Sequence, residues 1–175
     1  MTSRWRVFHQ FIASRRAVAG IEFSVILPVL LVLLLAFYDA GNAIAIYTRT
    51  RFATATLAEL TNQYSTIHDT DLIQIICATT AVLAPYPTAS ATGSVSQIAI
   101  SSQGVATVSW SNTLTPGSPF TLPAALIVPN SYLIYSQVQY TFTPSFSFFI
   151  SAPITMSDSL FVSPRNSASI SRVSP

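Results

Sequence analysis

The sequence predicts an α+β protein, in which an N-terminal transmembrane and stalk helix is followed by a short helix and a small antiparallel sheet of about four strands. Three observations predict this fold class. A long apolar run begins at residue 18, helical periodicity follows it, and from residue 95 onward apolar residues alternate with polar ones. Alternation with a period of two is typical of strands, whereas an unbroken apolar run of this length is typical of a membrane helix.

The composition predicts a membrane protein with one modest outer domain. The chain has 175 residues, and only 8% of them are charged, against about 25% in an ordinary soluble domain. The mean hydropathy is +0.51. Lysine is absent, and the basic excess lies in residues 1–17, which hold four arginines and no acid. This basic arm is typical of a cytoplasmic flank, and no nucleic-acid partner is expected.

The membrane segment is predicted at residues 18–38, where only Glu22 and Ser24 interrupt apolar, aromatic, Gly and Pro residues. A helix of this length measures about 31 Å, close to the ~30 Å hydrocarbon core. Arg15 and Arg16 precede it directly, so the N-terminus is expected in the cytoplasm and the remainder outside. A cleaved secretory signal is the alternative, but signal cores have only ~7–15 apolar residues.

Glu22 is the unusual residue of this segment. A charged side chain in mid-membrane costs on the order of 2.5–3.5 kcal/mol on insertion scales, and less near an interface. The residues alone leave two explanations open. Glu22 reaches the cytoplasmic interface or pairs with Arg15 or Arg16, or it meets a cation supplied by a neighbouring subunit.

The surroundings of Glu22 resemble a known family. Residues 15–28 contain a basic pair, a small-residue junction, an acidic-aromatic pair and a Leu-Pro step, namely Arg15-Arg16, Ala17 to Gly20, Glu22-Phe23 and Leu27-Pro28. In this order they are similar to the start of the TadE-like family, the pseudopilins or minor pilins of the tight-adherence (Tad, Flp) branch of type IV pilus systems. The similarity covers residues 15–58 and continues more weakly downstream.

The resemblance implies cleavage by a prepilin peptidase of the Tad type. In such substrates the acidic residue is the fifth of the mature chain, which places the cut after Ala17 and the mature start at Val18. The family usually has Gly before the cut, and this chain departs from that pattern. A cut after Gly20 restores the Gly but makes Glu22 the second mature residue.

The resemblance also implies a role for Glu22 and Phe23 in helix registration and assembly. Cleavage frees an α-amine on Val18 that is protonated near neutral pH. Between neighbouring helices this amine and the Glu22 carboxylate would offset each other's desolvation, and only one axial offset would pair them. Pro28 is expected to kink the helix.

The partners and location implied are those of a minor pilin. The expected partners are the membrane, other minor pilins, the major pilin, the inner-membrane Tad assembly platform and the prepilin peptidase. The expected location is the bacterial inner membrane, as a single-pass protein with its C-terminal domain periplasmic or otherwise extracytoplasmic.

Three regions are predicted along the chain: a basic arm (1–17), a transmembrane and stalk helix (18–67) and an extracytoplasmic α+β domain (68–175). In the stalk, a rough apolar face is suggested by Ile44, Thr48, Phe52, Ala55, Leu60, Tyr64 and Ile67. In the outer domain we expect a helix from residue 71 to 82, capped by Asp69 or Thr70. A hairpin of strands 95–101 and 105–111 follows, then an irregular connection over 112–130, strands at 132–142 and 154–162, and a frayed tail from 166 to 175.

No catalytic constellation is found, so the chain is predicted not to be an enzyme, with no cofactor and no small-molecule substrate. His68, Asp69 and Asp71 form the only cluster that suggests a metal, and helix capping explains them better. Cys77 is the single cysteine, predicted to be a small buried residue. The apolar stretch from Phe142 to Ile150 fits either core packing or a docking patch.

Two other functions compete with the minor pilin. One is an unprocessed single-pass membrane anchor that displays an extracytoplasmic binding or structural domain. The other is a membrane-tethered hydrolase, which would need a polar cleft in the outer domain.

Overall fold

The computed structural model describes the backbone of residues 15–146 and 151–173, with side chains from residue 18 onward, and it has the predicted α+β class. The helices are α1 (Arg15–Asn62) and α2 (Asp69–Ala81), with short 3-10 turns at Thr88–Ser90 and Ala124–Leu126. The strands are β1 (Thr66–His68), β2 (Ala91–Ile100), β3 (Ala106–Ser111), β4 (Ser131–Phe142), β5 (Ile154–Val162) and β6 (Ser171–Val173).

The described residues form two compact units. The helix unit contains α1 as far as Asn42 together with the segment that begins at Pro144 and ends at Ala152. The sheet unit contains residues from Ala43 to Thr143 and from Pro153 onward. The boundary between the two units falls within α1, between Asn42 and Ala43, so this helix contributes to both units.

Helix α1 is 48 residues long, contains Pro28 without ending there, and stops at Asn62. The prediction that it reaches Ile67 was wrong. The N–H groups of Gln63 and Tyr64 donate to the carbonyls three residues earlier, which tightens the last turn into a 3-10 turn. Ile67 then lies in the short strand β1 and is fully buried.

The main sheet is antiparallel with the strand order β3-β2-β4-β5. The predicted hairpin is confirmed as β2 and β3. Gly104 has φ +78° in its turn, a conformation that favours glycine. The strands predicted at 132–142 and 154–162 are confirmed as β4 and β5.

The apolar face predicted for the stalk was wrong in its first half, since Ile44 is 69% exposed and Phe52 is 61% exposed. Its second half was right: Ile67 is buried, and Leu60 and Tyr64 pack against the same core. The buried face of α1 instead includes Thr50, Thr54 and Thr61, packed with Ile46, Ala53 and Leu57. Each of these threonine hydroxyls donates to the carbonyl four residues earlier, at 2.9, 3.0 and 2.8 Å respectively. With the hydroxyl satisfied in this way, threonine can occupy an apolar interface.

The opposite face of the sheet carries a second, smaller core. Ile98, Val108 and Leu133 are buried there together with Leu122 from the irregular connection. Phe120 from the same connection packs on Tyr135 at a ring-centroid distance of 5.1 Å. The segment 112–130 is irregular, as predicted, and it covers this face.

The C-terminal tail was predicted to fray, but its described part, as far as Val173, packs within the sheet unit. Ile170 is 1% exposed, and the following strand β6 pairs in parallel with β1. Trp110 donates its Nε1–H to the carbonyl of Ile170 at 2.7 Å, and Gln97 Oε1 accepts from the N–H of Ile170 at 2.6 Å. Arg172 Nε donates to Asp69 at 2.7 Å. The buried side chains of Gln97 and Trp110 therefore satisfy both the backbone N–H and the backbone carbonyl of Ile170.

Candidate membrane and assembly surface

The N-terminal part of α1 presents an apolar surface. Its most hydrophobic window has a mean hydropathy of 2.6 and is 0% buried, and the helix is long and apolar enough to cross a membrane. Val25, Leu34 and Phe37 are 70%, 64% and 74% exposed. The described residues contain one helix that meets this criterion of length and composition. It lies near the N-terminus and is compatible with a single-pass membrane protein.

Glu22 lies exposed on this apolar surface, between Ile21 at 64% exposure and Phe23 at 59%. Where side chains are described, from residue 18 to 146 and from 151 to 173, the ion pairs are Arg165–Glu59 and Arg172–Asp69, and neither involves Glu22. The side chains of Arg15, Arg16 and Ala17 lie outside the described ones. The intramolecular pairing with Arg15 or Arg16 therefore stays a prediction.

Both predicted cleavage positions lie within α1. The backbone is helical from Arg15 through Gly20 and beyond, and Val18 is 47% exposed. A Cβ built on Gly20 would meet nothing within 4 Å. Cleavage after Ala17 or Gly20 would therefore require local unwinding of the helix.

A second exposed strip lies on α1 within the sheet unit. Ile44, Tyr47 and Phe52 are 69%, 46% and 61% exposed, and Thr48 and Arg51 are exposed beside them. Spacings of three, four, seven and eight residues place these side chains on one side of a helix. We call these five residues the stalk strip; the sequence analysis had placed Ile44, Thr48 and Phe52 on the packed apolar face.

Asp39 directly follows the predicted membrane segment, and the sequence analysis missed its role in the helix unit. It is 7% exposed, and its two carboxylate oxygens accept hydrogen bonds from the backbone N–H groups of Ser145 at 3.1 Å and Phe146 at 3.2 Å. The ring of Phe146 meets that of Tyr38 edge-on at a centroid distance of 5.8 Å. An acid directly after an apolar run was the only available sequence signal, and it does not identify a loop more than 100 residues away.

Of the two explanations left open for the stretch from Phe142 to Ile150, core packing is confirmed for Phe142, and the docking patch stays a prediction. Phe142 is 6% exposed and belongs to the core of the sheet unit. Phe146 is 41% exposed. Phe148, Phe149 and Ile150 lie outside the described residues.

The His68, Asp69 and Asp71 cluster has structural roles. Helix α2 begins at Asp69 rather than Asp71, and His68 is its N-cap residue. Asp71 accepts from the His68 backbone N–H at 2.9 Å, while Asp69 pairs with Arg172. No group of three or more potential metal-binding side chains occurs in the part of the chain that was described.

The prediction that Cys77 is buried was wrong, because its side chain is exposed. Helix α2 buries Leu72, Ile75 and Thr79 instead. Thr79 donates its hydroxyl to the Ile75 carbonyl at 2.8 Å, as the buried threonines of α1 do.

Comparison with protein-family models, with curated proteins and with solved structures gives no match.

Proposed function

We propose that this chain is a TadE-like minor pilin or pseudopilin that takes part in assembly of a Tad/Flp-type adhesive pilus. The observation that carries the proposal is Glu22, an acid exposed on the apolar part of a helix that continues into the core of a small antiparallel domain. The sequence around it, from Arg15 to Pro28, supports the same family. The proposed location is the bacterial inner membrane with a cytoplasmic N-terminus.

In this proposal, Glu22 and the new N-terminus form a pair between subunits. Cleavage after Ala17 removes the arginines of the basic arm and leaves a protonated amine on Val18. In an apolar helix bundle, an unpaired carboxylate is strongly disfavoured, and breaking a buried pair costs about 3–5 kcal/mol. A subunit would therefore be retained at the axial offset that brings the Val18 amine of one helix to Glu22 of another.

The stalk strip supports packing against other subunits. Ile44, Tyr47 and Phe52 come after the apolar run has closed at Asp39, so they lie beyond the segment that lipid is expected to cover. Exposed apolar surface on a helix outside lipid is typical of a contact with another protein. Helices of other pilin subunits are the proposed partners.

The second candidate is an unprocessed single-pass anchor that displays its sheet unit. Two observations favour it: Ala17 stands where the family usually has Gly, and the backbone around both cleavage positions is helical. This candidate retains the membrane segment and the outer domain but gives Glu22 no assembly role.

The mature N-terminus distinguishes the two candidates. We expect the intact mass of the full chain, extracted from the membranes of its own host with a C-terminal tag, to correspond to a start at Val18. Ala17→Gly should increase the processed fraction, and Ala17→Arg, the matched control, should abolish processing. A chain that keeps its first 17 residues in all three proteins would favour the anchor, and a start at Ile21 would place the cut after Gly20.

A further inference from the structure

The contact between Tyr38, Asp39 and the segment Pro144–Phe146 connects the end of the apolar run to the connection between β4 and β5. All of these residues belong to the helix unit. Asp39 holds two consecutive backbone N–H groups, one with each carboxylate oxygen, at 3.1 and 3.2 Å. Phe146 completes the contact through its edge-on packing against Tyr38.

The Asp39 carboxylate is well suited to this clamp. A carboxylate that is 7% exposed is costly unless its oxygens are hydrogen-bonded. Hydrogen bonds between a charged acceptor and backbone N–H groups are roughly twice as strong as neutral ones. The two bonds therefore satisfy Asp39 and fix the backbone of Ser145 and Phe146 to the helix at the same time.

The depth of Phe146 in the membrane follows from that of Tyr38. Residues 18–38 match the ~30 Å hydrocarbon core, so Tyr38 falls at its outer boundary. Tyr and Trp side chains are enriched at this boundary, where their amphipathic rings lie at the level of the headgroups, and a neighbouring Phe ring can contact the acyl chains. Phe146 lies 5.8 Å from the Tyr38 ring, and both rings remain open to the surroundings, 41% and 55% exposed respectively.

We propose that Pro144–Phe146 is a membrane-interface anchor, in which Phe146 inserts beside Tyr38 into the headgroup boundary of the outer leaflet and Asp39 holds it there. The occupant of this surface is lipid, because the Tyr38–Phe146 pair continues the exposed apolar surface of α1 and the segment carries no charged side chain. The proposal requires that α1 crosses the membrane, and it is independent of cleavage and of pilus assembly.

Spin labelling tests the anchor in the full chain, reconstituted into vesicles of phosphatidylethanolamine and phosphatidylglycerol. The single native cysteine, Cys77, is exposed and provides the aqueous reference label. In a Cys77→Ser background, Phe146→Cys carries the test label, and Leu30→Cys, at a side chain that is 52% exposed on the apolar run, provides the lipid reference. Power saturation compares collisions of each label with oxygen, which partitions into lipid, and with a water-soluble nickel chelate.

The label at position 146 is expected to show an oxygen-to-nickel ratio several-fold above that at Cys77 and below that at position 30. A ratio equal to that at Cys77 would place Phe146 in water and overturn the proposal. Low collision rates with both reagents would mean that protein covers the site, which also overturns it.

A second variant tests the clamp. Asp39→Ala removes both acceptors, so the ratio at position 146 is expected to fall towards the Cys77 value, with the circular dichroism of the protein unchanged. Asp39→Asn keeps one carbonyl acceptor and should give an intermediate ratio. An unchanged ratio in Asp39→Ala would contradict the role of Asp39, and the ratio at position 146 in the parent tests lipid insertion even where Asp39→Ala fails to fold.

Discussion

Two acids lie at opposite ends of the apolar run, and their surroundings differ. Asp39 has both oxygens occupied by backbone donors from its own chain. Glu22 lies on an exposed helix surface among apolar side chains. An acid satisfied internally can act as a structural clamp, whereas an acid on a membrane helix is a candidate for function because its charge is costly there. Sequence alone identified Glu22 but did not identify the partners of Asp39.

The residue-level errors of prediction concern which side chains of α1 and α2 are buried. Thr50, Thr54 and Thr61 are fully buried, and bonds from their hydroxyls to carbonyls four residues earlier allow this. Thr48 makes the same bond at an exposed position, so the bond alone does not identify the buried face. Cys77 was predicted to be buried for its small apolar side chain, yet it is exposed.

Tyr140 gives a prediction for the alkaline range. Burial raises the pKa of Tyr140 above its ordinary value of 10.0, the nearby Tyr86 raises it further, and a hydrogen bond with Ser90 opposes the rise. The unfolded chain then loses this proton at lower pH than the folded chain. The associated stability is present below about pH 10 and is lost as the pH rises through the folded-state pKa.

We therefore expect the free energy of unfolding to fall more steeply above pH 10 in the parent than in Tyr140→Phe. Denaturant titrations of the full chain in detergent, monitored by circular dichroism at a series of alkaline pH values, measure this slope. Phenylalanine preserves the ring that packs edge-on against Tyr86 at 6.5 Å. Identical slopes in the two proteins would contradict the burial of the Tyr140 hydroxyl.

At the scale of elements, the local patterns were sufficient for strands and insufficient for long-range pairing. The alternation from Tyr132 to Phe142 predicted β4, and the side chains at 134, 136, 138, 140 and 142 are buried as a period of two requires. The three-residue strands β1 and β6 are too short to give such a pattern. Their pairing joins residues about 100 positions apart, and it depends on Ile170, Gln97 and Trp110 meeting in three dimensions.

The burial of Ile170 in the C-terminal tail leads to a prediction about stability. Ile170→Ala should lower the free energy of unfolding by about 2–5 kcal/mol, since it removes a fully buried side chain and leaves a cavity. Arg165→Ala is the control from the same part of the chain; its ion pair with Glu59 is 2.9 Å long but exposed, so it should cost no more than about 1 kcal/mol. Equal, small effects of both substitutions in detergent denaturation would show that the tail is frayed after all.

At the scale of the whole molecule, the order of apolar run, helices and strands in the sequence was enough to predict the α+β class. The helical period comes first along the chain, and the strand period of two follows it. The sequence did not reveal which side of α1 packs against the sheet, nor that segment 112–130 covers its other face. Both depend on how polar and irregular segments satisfy their hydrogen bonds once packed.

The two proposals concern different surfaces of the same chain and can fail separately. The membrane-interface anchor depends on Tyr38, Asp39 and Phe146, and on lipid alone. The assembly function depends on Glu22 and on other subunits. A result that removes Glu22 from assembly would leave a single-pass protein with an anchored loop.

Substitution of Glu22 followed by co-isolation of the tagged chain with pilin subunits from its own host tests the central claim most directly. Loss of about 3–5 kcal/mol corresponds to association weakened more than roughly a hundredfold. Glu22→Ala and Glu22→Gln should therefore reach the membrane in normal amount but lose these subunits, while Ser24→Ala, nearby on the same helix, should retain them. Normal recovery of the pilin subunits with Glu22→Ala would contradict the assembly role.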